Sequence, residues 1–234
     1  MKAIKVRPVL FNGAMVRALL DGRKTQTRRP VPVWQLPKLT YDKDQYISIA
    51  QRHSRYGFGV FGDTEESCMA NYGNEFKSCC PFGKPGDLLY VRETWHENHT
   101  GELLTYRADW PADNDPFSDA FAGEDCCMVG EKWRPSIHMP RKASRLTLRI
   151  TDVRVEKVSD ISCEDAIRDG VQYSHGMEGY HIEDGTHFHA DRPDYVYMGL
   201  WDELYGGINQ WAWVLDFEVI SGNVDQVSNE TIAA

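Results

Sequence analysis

Arg145-Leu146-Thr147-Leu148-Arg149-Ile150-Thr151-Asp152-Val153-Arg154-Val155-Glu156-Lys157-Val158 is the best strand pattern in the chain, and its phase decides the fold. Leu146, Leu148 and Ile150 alternate to one side, with Arg145, Thr147 and Arg149 on the other. Val153 and Val155 then carry the apolar phase on odd positions. Side chains in a strand repeat every two residues, so a change of parity needs one extra residue. The switch near Thr151-Asp152 therefore predicts a bulge, the device that bends a strand round a barrel corner.

Downstream, Ser162-Cys163-Glu164-Asp165 has the form of a capping box and predicts a helix over Cys163–Asp169, closed by Gly170. Tyr197 to Tyr205 reads as a further helix carrying Leu200, Trp201 and Leu204, and Trp211 to Val219 alternates as a final strand. Upstream, Trp133 to Arg141 is too rich in proline to be regular. Pro85-Gly86 fits the centre of a type II turn that launches a strand over Leu88–Trp95, with Leu104–Arg107 as its pairing partner. At the start, Val6–Phe11 reads as a strand and Asn12 as the cap of a short helix. Met15, Val16, Leu19 and Leu20 form its apolar face, and Gly22 ends it. Three short helices among about six strands, one of them bent, predict an α+β domain built on a small, mostly antiparallel barrel. The expected organisation is one domain over 1–220, with loop-rich insertions at 34–79, 111–130 and 171–195, followed by a polar tail at 221–234 that frays.

An apolar content of 41%, with 7 Trp and 11 Tyr, is enough for a packed core. No run approaches the roughly 18 apolar residues that a membrane span needs, and Met1-Lys2-Ala3-Ile4-Lys5 has no apolar region behind it. A cytoplasmic protein with no membrane partner is expected. Six cysteines, two pairs of them vicinal, lack the C-x₂-C spacing of a zinc site, so reduced thiols are expected. His187 and His189 with Asp184 and Asp191 offer ligand types but no helical H-x₃-H spacing, and neither a metal nor a cofactor is assigned. The net charge is −9, yet residues 1–29 hold eight Lys/Arg against one Asp, and residues 131–157 hold eight against three acids. This segregation predicts a basic surface for a polyanion.

Gly22-Arg23-Lys24-Thr25-Gln26-Thr27-Arg28-Arg29 is the densest cluster of polar chemistry. In an extended chain Lys24, Gln26 and Arg28 share one face, and Thr25, Thr27 and Arg29 the other. A turn that brought Lys24 to Thr27 would create a lysine base beside a hydroxyl nucleophile, the pairing that acyl transfer uses. A cation nearby or burial would lower the lysine pKa.

This segment, the turn and strand at Pro85–Trp95, the strand at Ile150–Glu156, the helix at Glu164–Gly170 and the strand at Trp213–Phe217 resemble, in that order, the ASCH domain family, which is related to PUA domains. They are similar to a longer subgroup found in phage and prophage chains. The resemblance implies a PUA-like pseudo-barrel with a cleft for RNA or a modified nucleoside. It also implies amidohydrolase activity on N4-acetylcytidine through a lysine, a threonine and a glutamate, which fall here on Lys24, Thr27 and Asp169. The last departs from the pattern by one methylene, about 1.5 Å of reach. Arg28, Arg29, Arg92, Glu93, His138 and Arg141 are the expected substrate-binding residues. Other members bind or cleave RNA, so a non-catalytic RNA- or DNA-binding module and a ribonuclease stay open as alternatives.

Overall fold

The computed structural model of the chain describes residues 4–51, 58–75, 77–98, 104–110, 132–176, 178–183 and 190–233. In chain order the elements are β1 (Val6–Leu10), α1 (Gly13–Leu20), β2 (Gln26–Pro30), β3 (Lys38–Leu39), β4 (Tyr46–Gln51), β5 (Phe58–Gly62) and α2 (Glu65–Glu75). Then come β6 (Leu88–Arg92), β7 (Trp95–Glu97), β8 (Leu104–Tyr106), β9 (Leu146–Lys157), α3 (Cys163–Arg168) and β10 (Gln172–Ser174). The last are β11 (Gly179–His181), α4 (Pro193–Tyr205), β12 (Trp211–Ser221) and α5 (Val224–Ala233). They form two compact units, the first from Met1–Arg23, Leu88–Leu148 and Val219–Ala234, the second from Lys24–Asp87 and Arg149–Glu218. The class is α+β with mostly antiparallel strands. Five α-helices replace the three expected, and among the described residues every sheet is open-edged.

In the first unit β1 and β6 pair in parallel, from Val6↔Leu88 to Leu10↔Arg92, and the strand order is β1-β6-β9-β12. Asn12 caps α1 by accepting the Met15 N–H at 2.9 Å. Gly22, at φ +71°, ends the helix in a Schellman arrangement, with Arg23 N–H on the Ala18 carbonyl and Gly22 N–H on that of Leu19. The buried face is Ala14, Val16, Ala18 and Leu19, whereas Leu20, read as inward, is exposed. The strand expected over Leu88–Trp95 is two strands, interrupted where Glu93 gives its N–H to the Met139 sulfur at 3.2 Å; Leu104–Tyr106 pairs with the second of them. The region read as a frayed tail is helix α5. Val224 and Val227, three apart in an otherwise polar run, are buried against Leu88.

In the second unit β12 and β2 are antiparallel, from Ala212↔Pro30 to Asp216↔Gln26, in the order β9-β12-β2. Along β9 burial moves from Ile150 to Val153, the parity change the sequence predicts. The segment 34–79, read as irregular, instead holds the antiparallel sheet β3-β4-β5 and the 11-residue helix α2. Ser48, Val60, Cys68, Met69 and Tyr72 are buried there. Gly62 permits the contact between β5 and α2, because a Cβ would lie 2.3 Å from the Cys68 nitrogen. Gly62→Ala is accordingly expected to destabilise the protein by about 1–3 kcal/mol, the usual cost of overpacking against backbone. A thermal melt measures it, and an unchanged midpoint would show that the backbone yields. The 171–195 segment contains the β10–β11 hairpin, and α4 starts at Pro193, four residues earlier than the helix read at Tyr197. The expected insertion at 111–130 lies outside the described residues, as do Cys126, Cys127, His187, His189 and Asp184.

Candidate active site

The second unit gathers Lys24, Arg28 and Asp169, and the backbone explains how. The β2–β12 register extends from Val31, whose N–H binds the Trp211 carbonyl, to Thr25, whose carbonyl accepts the Phe217 N–H. Thr25 gives its own N–H to the Arg168 carbonyl at the end of α3. Lys24 therefore lies beyond the ladder, beside the C-terminus of that helix. Ser162 caps α3 by accepting the Asp165 N–H at 3.1 Å, which fixes Asp165 in its first turn and Asp169 at its C-cap.

Lys24 Nζ donates to Asp169 Oδ1 at 2.8 Å and also to the Asp169 carbonyl. Arg28 Nη1 donates to Asp169 Oδ2 at 2.9 Å and to Gln26 Oε1, while Nη2 donates to Asp165 Oδ2 at 3.0 Å and Glu156 Oε2 at 3.1 Å. Gln26 Nε2 reaches Asp216 Oδ1 at 2.9 Å and Asp165 Oδ1 at 3.1 Å. Arg154 joins Glu156, Asp165 and Asp216, and Arg168 joins Asp216 and Asp165. Four cations thus face four carboxylates, with Lys24, Arg28 and Asp169 at most 2% exposed.

Burial lowers the Lys24 pKa from its usual 10.5; the Asp169 charge and hydrogen bond oppose this, and Arg29 and Arg28 add to it. Burial also acts against the Arg28 charge, but Asp169, Tyr197 and Asp165 outweigh it and the guanidinium stays cationic. Burial would raise the Asp165 pKa, yet Gln26, Arg154 and Arg28 hold it below the usual 3.8. Tyr197 is pushed well above 10 by burial and by Asp169, so it is a neutral phenol at pH 7.

Thr27 faces the other way. It lies opposite Leu215, whereas Gln26 and Arg28 lie opposite Asp216 and Val214, so the pleat sends it to the other side of β2. Its Oγ1 accepts from Arg29 Nη1 at 2.7 Å, and the same nitrogen donates to the Arg28 carbonyl.

The other expected binding residues belong to the first unit. Arg92 Nη2 donates to the Ile137 carbonyl, and His138 is exposed on the neighbouring 3-10 turn Ser136–His138. Arg141 lies 5.9 Å from the Tyr90 ring centroid and pairs with Asp225 at 2.5 Å. Glu93 is buried and forked by Arg145, with Nε on Oε1 and Nη2 on Oε2, both at 2.9 Å. Burial raises its pKa although Arg145 opposes the rise.

The charge runs are more internally engaged than a polyanion surface requires. Lys24 and Arg28 are buried, Arg23 pairs with Asp21, and Arg134, Arg141, Arg145, Arg149, Arg154 and Lys157 each have a carboxylate within 4.0 Å.

Sequence reasoning missed Gln26, Glu156, Asp165, Asp216, Arg154, Arg168 and Tyr197 as members of the site. One signal was present: Asp216 is the single charge in the buried run Trp211–Phe217, where an acid needs a partner. Among the described residues no group of three or more His, Cys, Asp or Glu is arranged to hold a metal ion, and no helix is long and apolar enough to cross a membrane. Comparison with known protein families, with curated proteins and with solved structures finds no match to this chain. The likeness to the ASCH family rests on the motif residues alone.

Proposed function

We propose that this protein is a PUA-like amidohydrolase that removes the acyl group from an N4-acylated cytosine nucleoside or nucleotide. The observation that carries this reading is the Lys24–Asp169 pair, in which a fully buried amine of lowered pKa is held by a carboxylate. Desolvated lysines of this kind serve as bases because part of the population is neutral near working pH. Thr27 is the nucleophile. The Arg29 guanidinium on its oxygen favours the alkoxide. Because Thr27 lies on the face of β2 opposite Gln26 and Arg28, the reaction requires the Lys24 stem, which precedes the ladder, to leave Asp169 and swing towards Thr27 when substrate enters. The Thr27 oxygen bonds to the acyl carbon while its proton passes to Lys24 Nζ. The carbon–N4 bond then breaks as Nζ returns the proton to N4, releasing cytidine. Water then gives a proton to Lys24 as its oxygen bonds to the ester carbon, and the bond from that carbon to the Thr27 oxygen breaks as Nζ returns the proton to Thr27, freeing the carboxylic acid. Arg28 and Asp169 hold the charges that appear.

Incubation with N4-acetylcytidine, followed by chromatography of cytidine, tests this. Product that accumulates in proportion to enzyme supports it. No product, together with a salt-sensitive gel shift of RNA or DNA, would favour a non-catalytic nucleic-acid module.

The sign of the pH dependence follows from Lys24. The protonated amine is inactive, so kcat/KM rises with pH and levels off below 10.5. Asp169 raises the Lys24 pKa, so Asp169→Asn moves this limb to lower pH. A limb that stays in place would remove Lys24 as the base.

A further inference from the structure

The Arg28 guanidinium has acceptors for Nη1 and Nη2, four side chains in all, but among the described residues its buried Nε has none. The guanidinium also meets an aromatic group: the Tyr197 ring centroid is 5.7 Å from the guanidinium carbon. A π face is a weak acceptor and attracts a desolvated cation. Tyr197 is buried on α4, and Trp201 one turn on (6.3 Å between centroids) holds the next ring, Tyr205, at 4.5 Å. The rings keep the Tyr197 face in one orientation.

From this geometry we infer that Tyr197 is a positioning residue for the Lys24–Asp169 site, acting through Arg28. The ring fixes the guanidinium plane, the guanidinium holds Asp169 Oδ2, and Asp169 presents Oδ1 to Lys24. Without the ring, Arg28 is free to turn away from Asp169. The carboxylate then acts on Lys24 alone, and the like charge of Arg28 no longer opposes the ammonium. Both changes favour protonated Lys24. The largest charged influences on Lys24 are Asp169 from the end of α3 and Arg28 and Arg29 from β2, and those on Tyr197 are the same three with Tyr205.

The catalytic consequence rests on the proposed hydrolase, but the test does not. Lysine labelled with ¹³C at Cε allows Lys24 to be titrated by NMR, with assignment from Lys24→Met. Tyr197→Phe, which keeps the ring, is expected to titrate as wild type does. Tyr197→Leu is expected to titrate at higher pH, towards 10.5. Trp201→Leu loosens the support of the Tyr197 ring but leaves the ring itself against Arg28, so its Lys24 is expected to shift in the same direction but less than in Tyr197→Leu. In the hydrolysis assay Tyr197→Leu should lose up to about a hundredfold in kcat, as misplaced groups do, while Tyr197→Phe retains activity. The inference is overturned if Tyr197→Phe shifts Lys24 as far as Tyr197→Leu does, or if Trp201→Leu shifts it equally. If the NMR pattern holds and no variant hydrolyses N4-acetylcytidine, the functional proposal fails and the positioning role stands.

Discussion

Arg28→Met lowers the free energy of unfolding by about 3–5 kcal/mol, the cost of breaking a buried ion pair by removing one partner. Arg28 is 1% exposed and donates to Gln26, Asp165, Asp169 and Glu156. Asp165 and Glu156 keep Arg154 when it is removed. Asp169 keeps Lys24, whose own charge is disfavoured by burial. The loss therefore concentrates on Asp169, itself 2% exposed, which loses one hydrogen-bonded partner. Methionine preserves the straight stem and much of the volume, so the change reports the missing guanidinium rather than a cavity. Arg28→Lys recovers only part of it, because one ammonium cannot span acceptors on three acids and an amide. Denaturant titration measures the difference, and a loss below about 1 kcal/mol would mean that the network relaxes around the gap. Acid acts on the same network. The Asp165 pKa is depressed on folding, so its contribution is fully present above its usual 3.8 and is lost as pH falls through the lower folded value.

Local signals were legible in the sequence where a single residue type has a single backbone use. Asn12 before an apolar helix, Gly22 after it, Ser162 three residues before Asp165 and Gly170 behind α3 all do what their chemistry requires. The long strands β9 and β12 were legible because their alternation spans many residues. The region 34–79 was not: β5 is Phe58-Gly59-Val60-Phe61-Gly62, where Gly59 reads as a turn former, and α2 is polar along most of its length. Gly62 is there for close approach to Cys68, a tertiary reason that no local window contains. The C-terminal helix failed for the same reason, since two valines suffice once Leu88 is present.

The site divides in the same way. The alternation of Gln26 and Arg28 against Thr27 and Arg29 is sequence information, and the register of β2 reproduces it. What the eight-residue motif could not show is that Lys24, Gln26 and Arg28 point inward. Their partners come from β9, α3 and β12, more than a hundred residues away in the chain. Net charge counted along the sequence treats Arg28 and an exposed arginine alike, whereas burial with three acids makes Arg28 part of a neutralised core.

Lys24→Met tests the central claim most directly. Methionine matches the lysine stem, and Asp169 keeps Arg28 at 2.9 Å, so the variant is expected to stay folded while it loses the amine. A general base contributes on the order of 10²–10⁴ in rate. Wild type and Lys24→Met, both shown to be folded by circular dichroism, would be given N4-acetylcytidine and followed by chromatography. Cytidine released by wild type at a rate at least about a hundredfold above the variant's is the predicted result. Equal rates, or no release by wild type, would contradict it.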